Sequence, residues 1–143
     1  MNAQIISKWS KQIPCFLGIY ELKDLKYVNI VKNHVSFLVI HKEHAIGIYV
    51  DEKSVDIFDP LGVKNFSVYG PIYEFLAVHL PCKKLNLSLK LQSDKSIACA
   101  KFCLVFLMLR CQSYTFCEVI NLFTIDTEKN EKKIEIFFNC LFQ

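Results

Sequence analysis

A cysteine attacks a carbonyl only as its thiolate, and free cysteine titrates at about 8.5, so a working nucleophile needs a helix N-terminus and a histidine to lower that value. Seven cysteines occur, at positions 15, 82, 99, 103, 111, 117 and 140. Cys99 is the one whose surroundings predict such help. It opens a run from Ala98 to Arg110 that is apolar nearly all round and lacks Gly and Pro, which predicts a buried central helix. The polar loop Gln92-Ser93-Asp94-Lys95-Ser96 leads into it. Before that loop, Leu85, Leu87, Leu89 and Leu91 alternate with polar residues, the period of a half-buried strand. Strand, loop and cysteine at a helix start together make a mount for a nucleophile. Cys103 falls one turn deeper, Cys111 at the helix end, and Cys117 and Cys140 in later apolar segments, where small core residues are expected.

The base must come from elsewhere in the fold, and the histidines are His34, His41, His44 and His79. His44 opens the apolar run Ala45 to Val50. The next run, Val55 to Asp59, follows a hairpin turn at Asp51-Glu52-Lys53-Ser54 and stops at Pro60-Leu61-Gly62. Antiparallel pairing of those runs brings His44 and Asp59 to one sheet edge, where a carboxylate can fix the imidazole tautomer and steady its positive charge. Gln92, on the loop before Cys99, has a side-chain amide able to donate to a developing oxyanion, beside the backbone N–H of Cys99 itself.

The elements that must hold these groups are legible in outline. Ile5, Trp9 and Ile13 predict a short amphipathic helix closed by Pro14, and Val35 to Ile40 predicts a strand. Pro71, at a first helical position, and Ile72, Phe75, Leu76 and Leu80 predict a helix ending before Pro81. A helical piece covers about Phe116 to Phe123. Ile134, Phe137, Phe138 and Leu141 give a last amphipathic helix, with 126–133 as its capped first turns. The expected class is α+β, a small mixed or antiparallel sheet against helices, in a single domain over 1–143.

Composition narrows the function. An odd number of cysteines in apolar surroundings argues against a secreted disulfide scaffold, and no second ligand pair accompanies Cys99 and Cys103 at zinc spacing, so no metal is expected. The net charge of +3 is mild and its lysines are scattered, so charge alone does not point to nucleic acid. No apolar stretch has the roughly 20 residues of a membrane span, and no secretory signal is visible at the N-terminus, so an intracellular protein is expected.

The ordered set resembles the adenovirus protease (adenain-like) family of cysteine peptidases. That family has a His followed by a strand, a hydrophobic strand ending Glu/Asp-Pro-x-Gly, a Gln, and a Cys within Ser-x-Ala-Cys-Gly-x-Phe-Cys. Here the counterparts are His44-Ala45-Ile46-Gly47-Ile48-Tyr49-Val50, then Asp56-Ile57-Phe58-Asp59-Pro60-Leu61-Gly62, then Gln92, then Ser96-Ile97-Ala98-Cys99-Ala100-Lys101-Phe102-Cys103. Phe16-Leu17-Gly18-Ile19-Tyr20 looks like the family's segment after its first helix. The departures are Ala45 for the usual aromatic residue, Ala100 for glycine, and Asp94-Lys95 in the oxyanion loop.

The resemblance implies a papain-like-clan thiol protease with Cys99 as nucleophile, His44 as base, Asp59 as orienter and Gln92 in the oxyanion hole. It implies substrates that are structural precursors of a virus or virus-like element, cut near small residues such as glycine, by a monomer located in the virion or host nucleus and not at a membrane. An activating peptide joined through a cysteine upstream of the glutamine, and DNA as a second activator, are also implied. Cys82 falls near the place for the first, with Lys83-Lys84 adjoining. The alternatives are a ubiquitin- or SUMO-type isopeptidase of the same clan, or a degenerate capsid- or DNA-associated binding module.

Overall fold

The computed structural model describes residues 3–62, 66–81, 83–94 and 98–142. Cys82, the expected peptide attachment point, lies outside them. The elements run α1 (Ala3–Ser10), β1 (Phe16–Glu21), a 3-10 turn (Leu22–Tyr27), β2 (Val35–His41), β3 (His44–Val50), β4 (Ser54–Phe58), α2 (Phe66–His79), β5 (Lys84–Leu87), α3 (Cys99–Cys111), α4 (Phe116–Ile120) and α5 (Thr127–Leu141). The class is mixed α+β, as expected. The five strands form one sheet in sequential order, parallel at its two edges (β1 with β2, β4 with β5) and antiparallel between β2, β3 and β4. No described helix is long and apolar enough to cross a membrane.

Strand alternation sends side chains to two faces, and each face has its own core. Leu38, Ala45, Tyr49 and Phe58 face α3 and, around it, α1, α4 and α5. Phe37, Val39, Ile46, Ile48 and Ile57 face α2 and the 3-10 turn. Helix α3 is buried along almost its whole length. Phe106 stacks on Phe58 at 4.2 Å, and Gly47, which presents no side chain, lets Cys103 and Leu107 approach the sheet. Burying both the helix and the sheet face excludes water from either side of the strands that carry His44 and Asp59.

Several expectations are corrected. Pro71 lies inside α2, which already begins at Phe66, so the helix extends about a turn upstream of the proline that was expected to start it. The leucine alternation is real in period but inverted in direction. β5 stops at Leu87, and Leu85, Leu87 and Leu89 are exposed while Asn86 and Ser88 point inward; of the four leucines only Leu91 is buried as expected. Polar partners on β4 account for the inversion: Asn86 donates to Asp56 at 2.9 Å and Ser88 bonds the backbone of Asp59. α1 ends at Ser10, before the buried Ile13, and α4 ends at Ile120. Cys117 and Cys140 are exposed, so they are not core residues, whereas Cys103 is fully buried.

Candidate active site

β2 and β3 are joined by the two-residue turn Lys42-Glu43, with His41 opposite His44. Both turn residues have positive φ, +47° and +65°, the backbone of a type I′ hairpin that ordinarily selects Asn-Gly. His44 thus stands at the first position of β3. Gly47 pairs with Phe58 on β4. Continuing that register by one residue sets Asp59 opposite Ile46, two positions from His44 on the same face, where diagonal neighbours touch. The contact follows: His44 Nε2 bonds Asp59 Oδ1 at 2.7 Å, with 23% and 6% of the two side chains exposed.

Asp59 is held from every side. Its Oδ1 also accepts from the backbone N–H of Leu61 at 2.9 Å, Tyr69 O–H donates to Oδ2, and the Ser88 hydroxyl both accepts from its N–H and donates to its carbonyl at 2.7 Å. Gly62 N–H closes the Asp59-Pro60-Leu61-Gly62 turn onto the Asp59 carbonyl at 2.8 Å. Gly62 has φ +81°, and a Cβ there would meet the backbone of Lys90 at 3.1 Å, so glycine permits this close crossing. The crossing matters for Gln92. The Pro60 carbonyl accepts from both Leu91 N–H (2.8 Å) and Gln92 N–H (2.9 Å), pinning the Gln92 loop to the turn that carries Asp59. From the other side Asn130 donates to the Leu91 carbonyl at 3.0 Å, and Glu131 accepts from the Ser93 N–H and hydroxyl. Gln92 itself is buried, 1% exposed.

Cys99 is the first residue of α3 and is 8% exposed. Its thiol lies 3.9 Å from the Glu43 carbonyl in the hairpin turn, which brings the sulfur beside His44. Since Nε2 of His44 is engaged by Asp59, Nδ1 is the nitrogen left to take the thiol proton. Burial alone disfavours both charged forms, lowering the imidazole value and raising the thiol value. The pair interaction overrides it. Hydrogen bonding to Asp59 and Cys99 pushes His44 up to about 9, and the His44 bond with the Ala45 and Ala100 backbone N–H groups brings Cys99 below its ordinary value. Both shifts run in the direction of a thiolate–imidazolium pair.

The other candidates separate cleanly. Cys103, one turn deeper, donates to the Ala45 carbonyl at 3.4 Å, and full burial drives its thiol well above the ordinary range, so it is inert. His34 contacts Tyr49 O–H at 3.4 Å and His79 packs on Phe75. Lys83 caps the β3–β4 turn through the Asp51 and Glu52 carbonyls, while Lys84 stays exposed. No group of three or more metal-ligating side chains occurs among the described residues. An open cleft of about 890 Å³ borders the hairpin turn at Lys42 and Glu43, between the 3-10 turn and α2, without containing the sulfur itself. Sequence reasoning did not find Tyr69, Ser88, Asn130 or Glu131. Ser88 carried a usable signal, a hydroxyl at the alternation step just before the Gln92 loop; the other three carried none.

The fold and the site together define a mixed α+β protein with a Cys-His-Asp constellation at one end of a buried helix. No protein-family model matches the sequence, and none of the curated proteins matches it. Among solved structures it is similar to the central domain of the uncharacterized Lpg1148 protein from Legionella pneumophila, with a TM-score of 0.58 at 11% identity over 99% of this chain and 97% of that one. At that identity the likeness is one of fold.

Proposed function

We propose that this chain is a cysteine endopeptidase of the papain-like clan and adenain-like type. The observation that carries the proposal is the Cys99 thiol at the start of α3, beside an imidazole whose far nitrogen is held 2.7 Å from a buried carboxylate. The Cys99 thiolate attacks a peptide carbonyl, and the oxyanion takes hydrogen bonds from the Cys99 backbone N–H and the Gln92 amide. The His44 imidazolium then protonates the leaving amine. Water, deprotonated by His44, hydrolyses the thioester and restores the thiolate. Asp59 keeps Nδ1 aimed at the sulfur and stabilises the imidazolium. The hydrogen bonds around Leu91, Gln92 and Ser93 support this reading, because an oxyanion donor works by being fixed before charge develops.

Structural precursors of a virus or virus-like element, cut beside glycine, are the proposed substrates, and a peptide attached at Cys82 and DNA the proposed activators. These rest on the family resemblance. The test is turnover of internally quenched peptides with glycine at the scissile bond, and of ubiquitin-like C-terminal fusions, by wild type and Cys99→Ala. Cleavage of the peptides by wild type alone supports the endopeptidase. Cleavage confined to the fusions makes it an isopeptidase. No turnover of either, with no covalent trapping of Cys99 by an electrophilic peptide, overturns both in favour of a binding module.

A further inference from the structure

At the opposite end of α3 from the nucleophile, a second pair of sulfurs lies together. Cys15 Sγ and Cys111 Sγ are 2.9 Å apart, within about 1 Å of the bond length of a disulfide. Both residues are held by their own elements. The Cys15 carbonyl accepts from the Ser36 N–H of β2 at 3.0 Å, and Cys111 closes α3 with its sulfur also 3.0 Å from the Pro14 carbonyl. Bond formation needs the two sulfurs to close by only about 1 Å. Cys15 is exposed, with φ +59°, whereas Cys111 is half-buried. The site is remote from the catalytic sulfur: the 13 residues of α3 put its two ends about 18 Å apart.

We propose that Cys15 and Cys111 form a reversible dithiol–disulfide couple, a cysteine site independent of Cys99, whose reaction partner is a low-molecular-weight disulfide. Cys15 is the attacking sulfur. Its thiolate displaces one thiolate from the small disulfide, giving a mixed disulfide. The Cys111 thiol then loses its proton and attacks the Cys15 sulfur, expelling the second thiolate. The two protein thiols are oxidised by two electrons and the small disulfide is reduced to two thiols, which carry away both protons. The division of labour follows from environment: hydrogen bonding from Cys111, with Ser36 and Lys32 nearby, holds Cys15 down to about 7 against its partial burial, while the same bond pushes Cys111 up. The ring so closed spans residues 15 to 111 and contains His44, Asp59, Gln92 and Cys99. Cross-linking positions 96 apart restricts the unfolded chain, which corresponds to a rise in Tm of roughly 10 °C.

The experiment equilibrates the reduced wild-type chain with oxidised glutathione, alkylates the remaining thiols and maps the digest by mass spectrometry. The expected result is a Cys15–Cys111 linked peptide that disappears on reduction, together with the upward Tm shift. Cys111→Ser should stop at a glutathione adduct on Cys15 with no such shift, and Cys15→Ser should leave Cys111 unmodified over the same interval. Recovery of both residues as alkylated thiols, or of the link only after denaturation, overturns the proposal. An adduct accumulating on Cys111 rather than Cys15 overturns the assignment of the attacking sulfur.

Discussion

Ser88→Ala tests whether the inward face of β5 and the segment after it supports the buried carboxylate of Asp59. One buried hydroxyl, 4% exposed with its residue, satisfies both backbone groups of Asp59, accepting from the N–H and donating to the carbonyl at 2.7 Å each. Alanine orphans the N–H, while the carbonyl keeps the Gly62 N–H at 2.8 Å. One buried polar group so orphaned costs about 1–3 kcal/mol. The expected loss is therefore about 1–3 kcal/mol, roughly 5 °C in Tm for a chain of this size. Leu89→Ser is the companion variant: Leu89 is 69% exposed, and its replacement should change stability by no more than about 0.5 kcal/mol. Urea unfolding followed by Trp9 fluorescence measures both. A leucine face buried as the sequence alternation suggests would reverse the order, with the leucine change the costly one. That reversal would refute the placement of Ser88 behind Asp59.

Arg110→Ala should cost about 3–5 kcal/mol in urea unfolding, because Asp56, fully buried, would lose the guanidinium that bonds it at 2.6 Å. Lys42→Asn combined with Glu43→Gly should raise stability by about 1 kcal/mol, read as a higher Tm, by relieving two positive-φ residues in a turn suited to Asn-Gly. The pH profile of kcat/KM should be bell-shaped. Raising pH through about 9 strips the His44 proton needed by the leaving amine, so activity falls on that side. On the acid side the thiolate must be protonated, and because the Cys99 value is lowered, activity should persist below the range of an ordinary thiol.

The central helix, the β2–β3–β4 meander and the capped last helix were legible because burial on a regular period is a local property. Apolar residues fill α3 from Cys99 to Leu109 apart from Lys101, and Asp126 caps α5 by accepting from Lys129 N–H. The approach of His44 to Asp59 was legible for the same reason, since a hairpin's register follows from its turn. What escaped were side chains whose meaning depends on distant partners. Asn86 and Ser88 read as a solvent face until Asp56 and Asp59 are placed opposite them. Asn130 sits in a run of charged residues with no sign that its amide is fully buried between Leu91 and Thr124. Cys15 and Cys111 are 96 positions apart, and no local pattern joins them.

The proposed chemistry depends most directly on the ionisation of one sulfur. Site-resolved alkylation of Cys99 by iodoacetamide, followed from pH 5 to 10 in wild type and in His44→Ala, measures it, with peptide mapping to separate Cys15. An unperturbed thiol is only about 3% thiolate at pH 7. The His44 contact predicts that labelling of Cys99 in wild type rises at a pH below that of an ordinary thiol, and that its midpoint moves up in His44→Ala. Labelling of Cys99 that climbs only toward pH 9, with the same curve in both chains, would contradict it.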